Sequence, residues 1–232
     1  MRAMILAAGR GERMRPLTDT LPKPLLPVGG KSLIQWQVER LVAAGIKHLI
    51  VNHAWLGAKI EEALGDGSRY GAHITYSPET EALETAGGIV KALPFFDEQP
   101  FLVVNGDVWC DWDPTQAKAA LAAMQRASAQ AWLLLVDNPS HNPAGDFAMD
   151  GTGRIYDLAA ADAATYTFAG IGLYQPSLFA GLAAGKPAPL APLLRAAMQA
   201  GRVIGAHHAG LWVDVGTPQR LAELDAALGA HS

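Results

Sequence analysis

The stretch "AMILAAGRGERMRPLT" covers residues 3–18. Its short apolar run ends in small residues, which reads as a buried β-strand delivering the chain into a turn. Beyond that strand end lie Gly9, Gly11, three arginines and Pro16. Ligands of open α/β sheets gather past the carboxyl ends of the strands. Small residues let a ligand approach the backbone, and successive free N–H groups make a concave anion site. Arg13 and Arg15 add guanidinium forks suited to phosphate oxygens. From Gly9 to Gly30 the chain carries four prolines and four glycines, and a loop this long is usually functional when it is ordered.

Working outward, apolar strands alternate with helical segments. Ser32 reads as the N-cap of a helix whose Leu33, Ile34, Val38, Leu41 and Val42 share one face, ended by Gly45. Strands at 46–52 and 73–77 and a strand "PFLVVNGD" follow, separated by helices at 56–64 and 85–93. This alternation predicts a parallel sheet with helices on both faces. A helix over 114–128 and the buried strand "AWLLLVD" continue it. The pattern then changes: "DFAMDGTGRIYDL" reads as a hairpin turning at 150–153, before a strand "YTFAGIGLY", helices near 177–184 and 190–200, two short strands and a last helix. The expected fold is α/β, a three-layer sandwich with a mostly parallel, Rossmann-like central sheet and a mixed second half. We expect one domain over 1–232, with a nucleotide-binding half at 1–110 and a sugar-binding half at 111–232.

Composition excludes several classes. The 232 residues are half apolar and can bury a sizeable core. No stretch approaches the length of a membrane span, and the N-terminal apolar run is too short for a signal peptide. One cysteine, Cys110, cannot form an internal disulfide, so a reducing cytoplasm is expected. Six cations against Glu12 and Asp19 give residues 1–31 a charge of +4. The net charge of −4 therefore leaves −8 elsewhere. An acidic chain with one basic segment suits a small polyanion better than nucleic acid.

Two familiar phosphate motifs fail here. Met14 stands where the dinucleotide fingerprint needs its third glycine, and Leu25 stands where a P-loop ending in "GGKS" (29–32) needs its first. The adjacent histidines 207 and 208 point to opposite faces of a strand, with no ligand set around them in the sequence; we read them as structural. The tryptophans at 109, 112 and 212 read first as packing residues.

Taken whole, "LAAGRGERMRPLTDTLPKPLLPVGGKSL" (6–33) resembles the N-terminal signature of the sugar-1-phosphate nucleotidyltransferases. By that resemblance Leu6, Ala7, Ala8, Gly9, Gly11 and Glu12 line a nucleotide, Arg13 grips its triphosphate, and Lys23 reaches the phosphates from the other side. "VNGDVWCD" and "LWVDVGTP" match the places where the family keeps two metal aspartates, here Asp107 and Asp214, and the resemblance implies Mg2+. Arg13, Lys23 and Asp107 are then the catalytic candidates. "YSPETEALETAGGI" matches a second nucleotide-facing loop. It assigns Glu79, Gly87 and Gly88 to the base, with Glu84 where the family usually has glycine. Further features along the chain ("NHAWLG", "GDF", "TFAGI", "LAPLLR") resemble the branch of the family that moves a uridylyl group from UTP to N-acetylmuramate 1-phosphate in cell-wall recycling. That implies sugar contacts at Asn105, Asp146 and Gly170. A hexose-1-phosphate guanylyl- or thymidylyltransferase, and a nucleotide-binding module without catalysis, are the rival readings. One departure stands out: no lysine occurs between Lys118 and Lys186, where many relatives place one against the sugar phosphate.

Overall fold

The structure is a computed structural model and describes residues 1–158 and 163–229. In chain order the elements are β1 (Ala3–Ala7), β2 (Pro27–Val28), β3 (Lys31–Ser32), α1 (Leu33–Ala43), β4 (His48–His53), α2 (Gly57–Leu64), β5 (His73–Pro78), α3 (Glu84–Ala92), β6 (Phe101–Asn105), β7 (Val108–Cys110), α4 (Ala117–Arg126), β8 (Ala131–Val136), β9 (Phe147–Met149), β10 (Ile155–Asp157), β11 (Ala164–Tyr174), α5 (Leu190–Gln199), β12 (Val203–His208), β13 (Trp212–Asp214) and α6 (Pro218–Gly229). The expected α/β class with a large, mostly parallel sheet of nine strands is what forms. The chain divides into two compact units, which interleave along the sequence. The first is 1–82, 104–114 and 211–232; the second is 83–103 and 115–210. They interleave because the chain leaves the first unit after β5, returns within β6, and returns again at β13.

In the first unit β1 pairs with β4 and β4 with β5, all parallel. Met4, Ile5, Leu49 and Val51 are sealed from solvent, as central parallel strands require. Ser32 caps α1 through its hydroxyl, which accepts from the Gln35 N–H at 3.3 Å. The buried face of α1 holds Leu33, Ile34, Val38 and Leu41 as expected, but Gln37 takes the place of Val42. The Gln37 amide is tolerated there because its Nε2 donates to the Val108 carbonyl at 2.5 Å. The 9–30 loop is ordered: three short 3₁₀ turns and the β2–β3 hairpin. Beneath it sits an apolar cluster of Met14, Leu26, Val28, Trp109, Val215 and Leu224.

In the second unit β11 is the spine. It runs antiparallel to β8 and β9, while β12 joins β8 in parallel. The β9–β10 hairpin turns at Asp150, as read from sequence. Asp150 Oδ1 accepts from the hydroxyl and N–H of Thr152, and the Tyr156 hydroxyl donates to Oδ2; these bonds, Thr152's first, hold its carboxyl down at about 2. One expected helix is absent. Residues 177–184 make only a 3₁₀ turn at Pro176–Phe179. Gly181 follows it, and Gly185 sits at φ +75, so glycine entropy and a left-handed residue stop propagation.

Candidate active site

All of the strongest candidates lie in the first unit. Gly11 has φ +68, and a Cβ built on it would stand 3.1 Å from both Lys23 Cβ and Thr18 Cγ2. Only glycine satisfies both the conformation and the space. Thr18 is fully buried and donates its hydroxyl to the Gly11 carbonyl at 2.8 Å. The Thr18 carbonyl in turn accepts from Arg10 Nη1 and Trp55 Nε1, both at 3.1 Å, with the Arg10 guanidinium 3.6 Å above the Trp55 ring. Arg15 is held by Asp19 at 2.7 Å. Arg13 differs from Arg10 and Arg15: it is exposed, and its guanidinium makes no hydrogen bond or ion pair among the described residues.

Lys23 is the buried cation of this region. Its side chain is 8% exposed and its ammonium donates to Asp107 Oδ2 at 2.6 Å, a partner 84 residues away. A buried ammonium is tolerable only with such a partner. Asp107 leaves the end of β6, where the Gly106 N–H donates to the Leu6 carbonyl at 2.8 Å. A Cβ at Gly106 would stand 2.9 Å from that same oxygen, which explains the glycine of "NGD". The second aspartate arrives by strand pairing. β13 runs antiparallel to β7 with Asp214 opposite Val108, and the Val215 N–H donates to the Asp107 carbonyl at 3.2 Å. Both aspartates thus stand at one end of the β7–β13 ribbon. Asp214 Oδ2 accepts from Arg220 Nη1 at 2.9 Å, while the same nitrogen donates to the Asp214 carbonyl at 3.0 Å. Gly216 leaves room for this pair, since a Cβ there would be 3.2 Å from both partners.

The base-loop candidates divide between the units. Glu79, in the first, is 6% exposed. Its N–H donates to the His53 carbonyl at 2.7 Å, and its Oε1 accepts from Asn52 Nδ2 at 2.7 Å. Asn52 Oδ1 accepts from the Ala7 N–H at 2.9 Å. Gly87, in the second unit, has its N–H committed to the Ala188 carbonyl, as does Ala86. A Cβ on Gly87 would collide with the Lys186 carbonyl. Its glycine is thus explained by backbone-on-backbone packing. Gly88 is buried in α3. Glu84 sits at φ +56, the left-handed region that its usual glycine counterpart would enter freely.

The proposed sugar contacts are also divided. Asn105 ends β6, half-buried. Asp146, in the second unit, has both oxygens engaged: Oδ2 accepts from the Phe168 N–H at 2.8 Å and Oδ1 from Asn142 Nδ2 at 3.0 Å. Gly170 lies inside the β-bulge of β11, between Phe168 and Gly172, at φ +75. A bulge re-aims the strand locally, and Asp146 pins its first residue. Arg154, one of two cations in the lysine-free span, is packed against Gly201 and over the Tyr156 ring. His207 pairs with Asp137 at 2.8 Å. Cys110 is 5% exposed, and burial pushes its thiol up to about 11, so it is a poor nucleophile.

Sequence reasoning missed Asn52, Thr18 and Arg220. The signal for Asn52 was present: "IVN" at 50–52 ends an apolar strand on asparagine, as "VVN" does at 103–105.

The chain is similar to known proteins along nearly its whole length. Residues 2–230 match the Nucleotidyl transferase family. An N-acetylmuramate alpha-1-phosphate uridylyltransferase of Neisseria meningitidis serogroup B is 55% identical over 232 residues, covering 99% of both chains. The protein of the same description from Caulobacter vibrioides is 34% identical, over 97% of this chain and 96% of its own. Among solved structures, a Bacillus anthracis protein described as a glucose-1-phosphate thymidylyltransferase superposes with a TM-score of 0.85. At 22% identity it covers 99% of this chain and 95% of that one, and it speaks to the fold alone.

Proposed function

Because the chain belongs to the nucleotidyl transferase family, we propose that it transfers a uridylyl group from UTP to N-acetylmuramate 1-phosphate, releasing pyrophosphate. The observation that carries this reading is the buried Lys23–Asp107 pair at 2.6 Å, set against the Gly11 turn, with Asp214 on the neighbouring strand. The similarity to two uridylyltransferases over nearly the whole chain supports the choice of base and sugar.

In this reading the triphosphate lies along the loop from Leu6 to Arg13, with the backbone N–H groups of Ala8 to Gly11 turned to its oxygens. Glu12 lies beside it at the loop's outer edge. Arg13, exposed and without a partner among the described residues, closes on the phosphates. Lys23 supplies a fixed positive charge, and its burial makes that charge count for more than it would in water. An oxygen of the sugar phosphate bonds to the α-phosphorus as the bond from that phosphorus to the bridging oxygen breaks, and the electron pair leaves with pyrophosphate. The transfer asks for alignment and charge neutralisation; no protein nucleophile is involved.

Members of this family generally use a divalent metal. Asp107 and Asp214 fit one: both are carboxylates, the hard oxygen donors that Mg2+ takes one or two at a time, with phosphate oxygens and water completing its shell. Bound there, Mg2+ would add Lewis-acid neutralisation of phosphate charge. Glu79 faces the base in this reading, Gly87 and Gly88 support the base loop, and Asn105, Asp146 and Gly170 hold the sugar. The reaction belongs in the cytoplasm, a reading supported by the single buried thiol.

The test is pyrophosphate release by purified protein across the four nucleoside triphosphates and a panel of sugar 1-phosphates. UTP with N-acetylmuramate 1-phosphate and magnesium is expected to exceed every other pairing by at least about a hundredfold in kcat/KM. A hexose 1-phosphate turning over equally well would overturn the sugar assignment.

A further inference from the structure

Thr18 is fully buried and held from outside by two donors: its carbonyl accepts from Arg10 Nη1 and from Trp55 Nε1, both at 3.1 Å. Its hydroxyl donates to the Gly11 carbonyl at 2.8 Å, and the Met14 N–H donates to the same oxygen at 3.0 Å. Met14 belongs to the apolar cluster under the loop, so the Gly11 carbonyl points inward. In a trans peptide the carbonyl and the following N–H point opposite ways, so the Glu12 N–H points outward. Position 11 needs glycine for its φ of +68 and for the space. The same glycine leaves the orientation of the peptide after it loosely set. Any rotation that brings the carbonyl oxygen outward would present an acceptor to phosphate oxygens, which repel it. Without the Thr18 hydroxyl, only the Met14 N–H would hold that oxygen inward.

We propose that Thr18 is a positioning residue for the nucleotide: its buried hydroxyl fixes the Gly11 carbonyl inward, so that the loop turns a donor rather than an acceptor toward the triphosphate at that point. The proposal rests on the reading of residues 6–13 as the phosphate loop. Arg13 lies just beyond the same peptide, so the lock also sets the point from which its side chain reaches the phosphates. Two groups of Thr18 have separate roles. The hydroxyl orients the peptide. The methyl packs against Gly11, where a Cβ would stand 3.1 Å from Thr18 Cγ2. T18V keeps the methyl and removes the donor, while T18S keeps the donor and removes the methyl. Orientation and packing can therefore be lost one at a time.

The experiment measures KM for UTP, KM for N-acetylmuramate 1-phosphate and the inhibition constant of pyrophosphate in wild type, T18V, T18S and T18A, with a melting temperature for each. Pyrophosphate is the probe that carries phosphates without base or sugar. T18V is expected to raise the UTP KM and the pyrophosphate inhibition constant by at least about tenfold, the scale of one lost hydrogen bond to a charged group. The KM for the sugar phosphate should stay near that of wild type. T18S is expected to keep all three constants near wild type, although its lost methyl lowers the melting temperature by a few degrees. If T18V does not fold, T18A carries the test with the same expected rise. Failure of both to fold would overturn the proposal, since the hydroxyl would then serve stability alone. Unchanged constants in T18V, equal changes in T18V and T18S, or a rise shared equally by the sugar phosphate would overturn it too. Those results differ from a failure of the transferase reading, in which wild-type protein releases no pyrophosphate from any triphosphate.

Discussion

The two units use polar residues differently. In the first, the candidate side chains pair with one another: Lys23 with Asp107, Arg220 with Asp214, Asn52 with Glu79. In the second, the candidates engage the backbone: Asp146 holds the Phe168 N–H, and Gly87 is pressed against the 186–188 segment. Side-chain pairs can exchange a partner for a ligand without disturbing the chain. Backbone anchors cannot, since an orphaned buried N–H or a displaced carbonyl costs folding free energy. Substitutions in the first unit should therefore separate activity from stability, and substitutions in the second should not.

The sharpest way to break that contrast is Asp107→Asn. The amide can still accept from Lys23 but removes its counter-charge, so the protein should fold with a melting temperature lowered by several degrees. Turnover should fall by about a thousandfold, the scale of several kcal/mol of lost charge stabilisation. Pyrophosphate release near the wild-type rate would remove Asp107 from the chemistry. Next in size is Gly87→Ala. Forcing a methyl into the Lys186 carbonyl is expected to cost about 2 kcal/mol, or roughly 4–8 °C in Tm. The loss should appear in thermal denaturation and the rate should fall with it. An unchanged melting curve would mean that the 186–188 segment is not packed as described. Smallest is Glu84→Gly. Glycine inside a helix normally costs about 1 kcal/mol, but at φ +56 it should be neutral or stabilising by up to about 1 kcal/mol. A loss beyond that, read from chemical denaturation, would contradict the left-handed conformation of Glu84.

Much of the fold could be read from sequence because its signals are local. The strands are unbroken apolar runs, Ser32 and Gly45 punctuate α1, and the 150–153 turn carries its own aspartate and glycine. The first-unit candidates were legible for a related reason: the 6–33 stretch is contiguous, and Asp107 closes an apolar strand on polar residues. What stayed hidden depends on register. Asn52 meets Glu79 only because β4 and β5 pair in parallel with His53 opposite Pro78, and no single-strand pattern states that offset. The tie from Asp146 to the bulge of β11 is hidden in the same way, because that bulge arises from the pairing of β11 with β8. The absent helix at 177–184 failed on Gly181 and Gly185, where an apolar rhythm outweighed two breakers in the reading.

The contact between Gly11 and Lys23 reaches further than the residues themselves. With Thr18 bonded back to the Gly11 carbonyl, the segment between them closes into a ring whose circumference is set by its residue count. A gained or lost residue would leave the ring unable to shut, so inherited variation here should run to exchange of one amino acid for another. The α2–β5 connection, where Gly65 has open space around it, should by contrast accept changes of length.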